Sequence, residues 1–159
     1  SERDKRTPKA SLPGADLVGF LEEGDDALLV LGEVKTSGDT KNPPQVMNGR
    51  GGMVHQLDSL AFDISIHNCL LKWLHPRCKN TPLWPLYEKA ARRYLASGGR
   101  AIKLVGMLMR DTKPNELDLK NRAKSLARKV SHPTKVELDA WYLPVPIEDW
   151  LKVIQGGAV

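Results

Sequence analysis

Three ionisable residues stand at spacings that chemistry can use. Glu33 and Lys35 are two apart in the run Ala27-Leu-Leu-Val-Leu-Gly-Glu-Val-Lys-Thr36, and residues two apart on an extended strand leave the same face. Asp16 opens the preceding run, Asp16-Leu-Val-Gly-Phe-Leu21, and the acidic stretch Glu22-Glu-Gly-Asp-Asp26 between the two reads as the turn of a β-hairpin. Such a hairpin returns Asp16 to the side of Glu33 and Lys35. Charges at the polar end of an apolar strand are costly to desolvate without partners, so their presence there points to a task. Two neighbouring carboxylates repel, and a hard divalent cation such as Mg²⁺ or Mn²⁺ relieves that repulsion through oxygen ligands. The Val34 carbonyl can add a further oxygen. A cation so held polarises a phosphodiester, lowers the pKa of bound water and neutralises charge in an in-line transition state. Lys35 would orient that water or stabilise the pentavalent phosphorus.

The elements that must hold these groups follow from periodicity. Residues 37–52 are dense in Gly, Pro, Asn and Asp and read as a long loop. From residue 53 to about 74, Leu57, Leu60, Ala61, Ile64, Leu71 and Leu74 recur at helical spacing, with Pro76 closing one long helix. A second helix is predicted over 83–96, entered through Pro82 and Pro85 and stopped by Gly98-Gly99. Residues 101–109 form an apolar run of strand length, and Val136, Leu138 and Trp141-Tyr-Leu143 mark another strand. Between them a helix over 115–130 places Leu119, Ala123, Leu126, Ala127 and Val130 on one face. Strand, helix, strand implies a parallel pair. A short amphipathic helix over 147–154 ends the pattern.

Asp16 with Glu33-Val-Lys35 resembles the PD-(D/E)xK nuclease superfamily, whose signature sets an Asp on one hairpin strand and Glu-x-Lys on the next. A following helix that bears Gln is common there, and His55-Gln56-Leu57 is similar to that element. The motifs cover roughly residues 13–60, and element order carries the likeness onward. The departures are Pro13-Gly-Ala-Asp16, which separates the Pro from the Asp, and the acidic helix that precedes the hairpin in many members, of which Glu2 is the only tempting remnant.

The resemblance implies an α/β fold, with a restriction-endonuclease-like mixed central sheet of about four strands flanked by helices. That domain would span 14–159, and residues 1–13 would be an extended arm or a severed connection to upstream structure. The resemblance also implies hydrolysis of DNA, with Asp16, Glu33 and Val34 on Mg²⁺ or Mn²⁺, Lys35 stabilising charge and Gln56 positioning. The strings Pro13-Gly-Ala-Asp-Leu17 and Gly32-Glu-Val-Lys-Thr36 also look similar to nuclease subunits of bacterial anti-phage systems, the Hachiman type included. That likeness implies a helicase or another defence subunit as partner.

Composition sets the outer bounds. The chain has 159 residues, 41% hydrophobic and 27% charged, and no apolar run long enough for a bilayer, so a membrane partner is not expected. Its start at Ser1 rather than Met reads as a piece trimmed from something longer. Two cysteines, Cys69 and Cys78, are too few for a disulfide framework, which suits a reducing cytoplasm, and too few thiolates for an iron–sulfur cluster. A net charge of +5 favours a polyanionic partner. Lys120, Lys124 and Arg128 fall at four-residue steps and are candidates to grip DNA phosphates, although such a stripe is more often a solvated face. His67, Cys69, His75 and Cys78 match no compact zinc spacing, and the two cysteines read as core residues. Trp73, Trp84, Trp141 and Trp150 read as packing groups. Two other functions fit the same residues: a nucleic-acid-binding module that does not cut, and an interaction domain in which the ionic cluster only stabilises the hairpin.

Overall fold

The computed structural model describes residues 14–156. The arm proposed for 1–13, Glu2 included, lies outside the described residues. The described chain runs β1 (Leu17–Glu23), β2 (Asp26–Ser37), α1 (Met53–Phe62), α2 (Ile64–Cys78), α3 (Trp84–Ala96), β3 (Ile102–Arg110), α4 (Lys120–Lys129), β4 (Lys135–Tyr142) and α5 (Trp150–Ile154). The strands make a mixed sheet in sequential order, with β1 antiparallel to β2 and β2, β3 and β4 mutually parallel. The expected α/β architecture, the hairpin and the parallel strand-helix-strand unit are therefore present. Among the described residues, no helix is long and apolar enough to cross a membrane.

Strand pairing sorts the side chains between the two faces of the sheet. Leu31 pairs with Leu104, and Glu33 with Gly106. One face therefore carries Leu29, Leu31, Glu33 and Lys35 beside Ile102, Leu104, Gly106 and Leu108. Helical residues Met53, Leu57, Leu60, Leu70, Ala90, Tyr94 and Leu126 join Leu29, Leu31, Ile102, Leu104 and Leu108 in one buried cluster. Helices α1 to α4 therefore cover this face. The opposite face carries Leu17 and Trp141, both exposed.

Gly106 lets α1 sit low on the sheet. A methyl group there would come within 2.5 Å of Leu138 Cδ2 and 2.9 Å of both Leu57 Cδ1 and Met53 Sδ. The absent side chain thus brings the first turns of α1 against the position that pairs with Glu33.

The single helix expected over 53–74 is two helices. Asp63 breaks it with an extended backbone, φ −87° and ψ 94°, and its side chain accepts from Ser65 N to cap α2. Local hydrogen bonding at Asp63 overrides the continuous apolar spacing. Pro76 does not close α2 but lies inside its last turn, which continues to Cys78. The helix expected over 115–130 begins as a 3-10 turn, Glu116–Asp118, before α4.

Candidate active site

Asp16 occupies the bend immediately before β1 rather than the strand itself. Its N–H donates to Gly32 O at 2.9 Å, which continues the hairpin ladder by one step. Its Oδ2 accepts from Val34 N at 3.0 Å. The N–H and C=O of one residue leave a strand on the same edge. The Val34 carbonyl therefore opens toward Asp16, beyond the point where β1 pairing begins at Leu17 and Gly32.

Glu33 is only 4% exposed. Lys35 Nζ lies 2.6 Å from Glu33 Oε1, as same-face residues on one strand allow. Burial pushes the Glu33 carboxyl above its ordinary pKa, the Lys35 bond opposes that rise, and the negative charge of Asp16 adds to it. The Asp16 carboxylate is thus close enough for its charge to act on Glu33. Together with the Val34 carbonyl they form an all-oxygen, net-negative donor set beside a lysine, which suits Mg²⁺ or Mn²⁺. Among the described residues, no three His, Cys, Asp or Glu side chains gather as a metal site; the acidic donors here are two, and the further oxygen comes from the backbone.

Gln56 lies on α1, between Met53 and Leu57, the residues seated on Gly106. Its Oε1 is buried and has no hydrogen-bond partner, an orphan amide oxygen. No described hydrogen bond joins Gln56 to Lys35 or Glu33. The geometry therefore brings Asp16, Glu33, Val34 and Lys35 into one cluster, whereas Gln56 lies on the helix whose Met53 and Leu57 approach Gly106, the partner of Glu33.

The basic stripe lies elsewhere. Helix α4 packs on β4 and α1, and β4 is the sheet edge opposite β1. Lys120 is paired with Glu116 at 3.0 Å, and Lys124 and Arg128 face solvent. The histidines and cysteines considered for zinc do not converge. Both ring nitrogens of buried His67 are engaged, Nδ1 with Tyr94 Oη at 2.9 Å and Nε2 with Leu60 O at 2.6 Å. Cys78 is buried in the core, and His75 stacks edge-on against Trp84 and Tyr87. Trp73 carries Arg77 over its ring, and Trp150 donates to Val145 O.

Sequence reasoning passed over a buried ion pair that anchors the loop after β2. Arg110, at the end of β3, and Asp118 are both fully buried and meet at 2.5 Å. The guanidinium also donates to Asn42 Oδ1 and to the carbonyls of Asp39 and Lys41. Tyr142 Oη donates to Asp118 at 2.8 Å. The loop that joins the Glu33–Lys35 strand to the Gln56 helix is thereby fastened to β3 and β4. In the sequence, the only trace of this arrangement is an Arg at the end of an apolar strand.

Comparison of the chain with protein-family profiles, curated proteins and solved structures returned no match in any of the three.

Proposed function

We propose that this chain is a metal-dependent deoxyribonuclease of restriction-endonuclease-like architecture, with Asp16, Glu33, Val34 and Lys35 as its reaction centre and Gln56 positioning. One observation carries the reading: two carboxylates gather on neighbouring segments of a hairpin, Asp16 bound to Val34 N at 3.0 Å and the buried Glu33 one residue before it, with an ammonium 2.6 Å from Glu33. A pair of acids and a lysine that served only the hairpin would gain little from Glu33 being buried, because desolvation costs more than an exposed pair would.

A bound Mg²⁺ or Mn²⁺ would supply Lewis acidity toward the phosphodiester and a water of lowered pKa. The chain's own groups have separable tasks. Val34 N–H fixes Asp16 Oδ2, so the carboxylate is oriented before anything binds. Glu33, buried and short of solvent, binds strongly whatever neutralises it. Lys35, paired with Glu33 at 2.6 Å, would stabilise the negative charge that builds on phosphorus. Gln56 Oε1 is an acceptor still without a donor, able to hold a water proton.

DNA as substrate follows from the nuclease-superfamily resemblance, a helicase or other defence subunit as partner from the likeness of the two motif strings, and a cytoplasmic setting from the presence of only two cysteines. The test is plasmid cleavage in Mg²⁺ by wild type, Glu33→Ala and Lys35→Ala, with a chelator control. The expected result is nicking or linearisation by wild type alone, lost in chelator. Equal cleavage by all three proteins would overturn the assignment.

A further inference from the structure

A cavity of about 390 Å³ opens between α1 and α4, lined by Met47, Asn48, Arg50, His55, Asp58 and Arg122 among others. We infer that it is a second anion site, which takes a backbone phosphate of the nucleic acid at a distance from the carboxylate cluster.

Two guanidinium groups and an imidazole line one small space. Arg50 has no carboxylate partner among the described residues. Arg122 donates to Asn48 Oδ1 through one terminal nitrogen, while its Nε is buried without any acceptor. Two guanidinium groups without a carboxylate partner are charge-assisted donors that suit an oxyanion. The one carboxylate in the lining, Asp58, is paired with Lys129 from α4, so it does not cancel the arginines. Its second oxygen, Oδ1, is buried and has no partner.

The backbone suits the same ligand. The wall of the cavity is the turn Asn48-Gly-Arg-Gly-Gly52, closed so tightly that a methyl group on Gly52 would lie 2.2 Å from Asn48 O. Gly52 N donates to Gly49 O, and Gln56 N donates to Gly52 O as α1 begins. The N–H groups of Met53, Val54 and His55 have no described acceptor. Unpaired donors at a helix start add to the attraction that the arginines exert.

Position ties this cavity to the candidate reaction centre. Along α1, Val54 and Asp58 face the cavity, Met53 and Leu57 face the sheet, and Gln56 falls on the far flank. A strand with one phosphate at the carboxylates would cross the start of α1 to reach the arginines. The inference rests on the nucleic-acid part of the proposed function and does not need cleavage.

The experiment measures binding in chelator, so catalysis plays no part in the readout. A short fluorescein-labelled DNA duplex is titrated by anisotropy against wild type, Arg50→Gln/Arg122→Gln, and Lys72→Gln/Lys152→Gln, which removes the same charge from exposed positions on α2 and α5. Circular dichroism melting confirms that each variant folds. The expected outcome is a loss of affinity of about tenfold for the arginine variant only, with the slope of log K against log salt reduced by roughly one to two. Three results overturn the inference: no binding by wild type, equal losses in both double variants, or unchanged affinity and slope in a folded arginine variant. A competition with inorganic phosphate that affects wild type and arginine variant alike would also overturn it. Lost cleavage in Glu33→Ala with an intact arginine effect would support both readings. An intact arginine effect with metal-independent cleavage, or with none in wild type, would sink the nuclease reading and leave the cavity assignment standing.

Discussion

At the residue scale, Glu33 is a group held against its own ionisation. Its folded-state pKa is raised, chiefly by burial. The folded state therefore keeps its proton to higher pH than the unfolded chain does, so stability falls as pH rises through the window between the two values. Replacing the acid by its neutral isostere removes that cost. Glu33→Gln is expected to abolish cleavage and to raise the melting temperature at pH 8 by a few degrees, about 1 kcal/mol. The gain should shrink toward pH 4.5, where wild-type Glu33 is also protonated. Melting curves across pH check this, and a loss of stability at pH 8 would count against Glu33 as a strained acid. Divalent cation should have the complementary effect. Millimolar Mg²⁺ is expected to raise the melting temperature of wild type, because a ligand of the folded state stabilises it by mass action. It should leave Glu33→Gln unmoved. Thermal-shift titration of the two proteins is the measurement.

The elements explain why these few residues meet. Apolar spacing alone places β2, β3 and α3 within a residue or two, because long periodic runs encode them directly. The Asp16 to Glu33 approach was legible too, since a hairpin with a short acidic turn leaves little choice of register. The break at Asp63 was not, because the hydrophobic spacing runs through it unchanged and only a side chain bonding to Ser65 N reveals it. Arg110 was illegible for a different reason. A buried arginine is compensated by Asp118 and by loop carbonyls whose proximity exists only after folding. Two predictions belong to this scale. Gly106→Ala is expected to cost about 1–3 kcal/mol by overpacking against Leu57 and Leu138 and to slow cleavage by lifting α1 from the strand that carries Glu33. Denaturant melts and initial rates measure both. Arg110→Met should destabilise by about 3–5 kcal/mol through the uncompensated Asp118. Arg110→Met/Asp118→Leu should recover a large part of that loss, and a double variant no better than the single would show that the loop contacts dominate instead.

Over the whole molecule, the parallel run of β2, β3 and β4 gives the sheet two unlike ends. The carboxylate cluster, the loop fastened by Arg110 and the start of α1 all gather where these strands finish. At the other end lie the Gly24-Asp25 turn and the entries to β3 and β4. Arg93 meets Glu23 at 2.9 Å and Asp26 at 3.5 Å there, Lys135 also pairs with Glu23, and Thr134 Oγ1 donates to Arg100 O at 2.7 Å. Gly24, with φ +62° and open space around it, needs only the permissive backbone of a turn. This polarity gives an engineer a safe handle. A peptide tag spliced between Gly24 and Asp25 would project from the pole remote from Asp16 and Glu33, so the protein could be tethered to a surface with the candidate site facing outward.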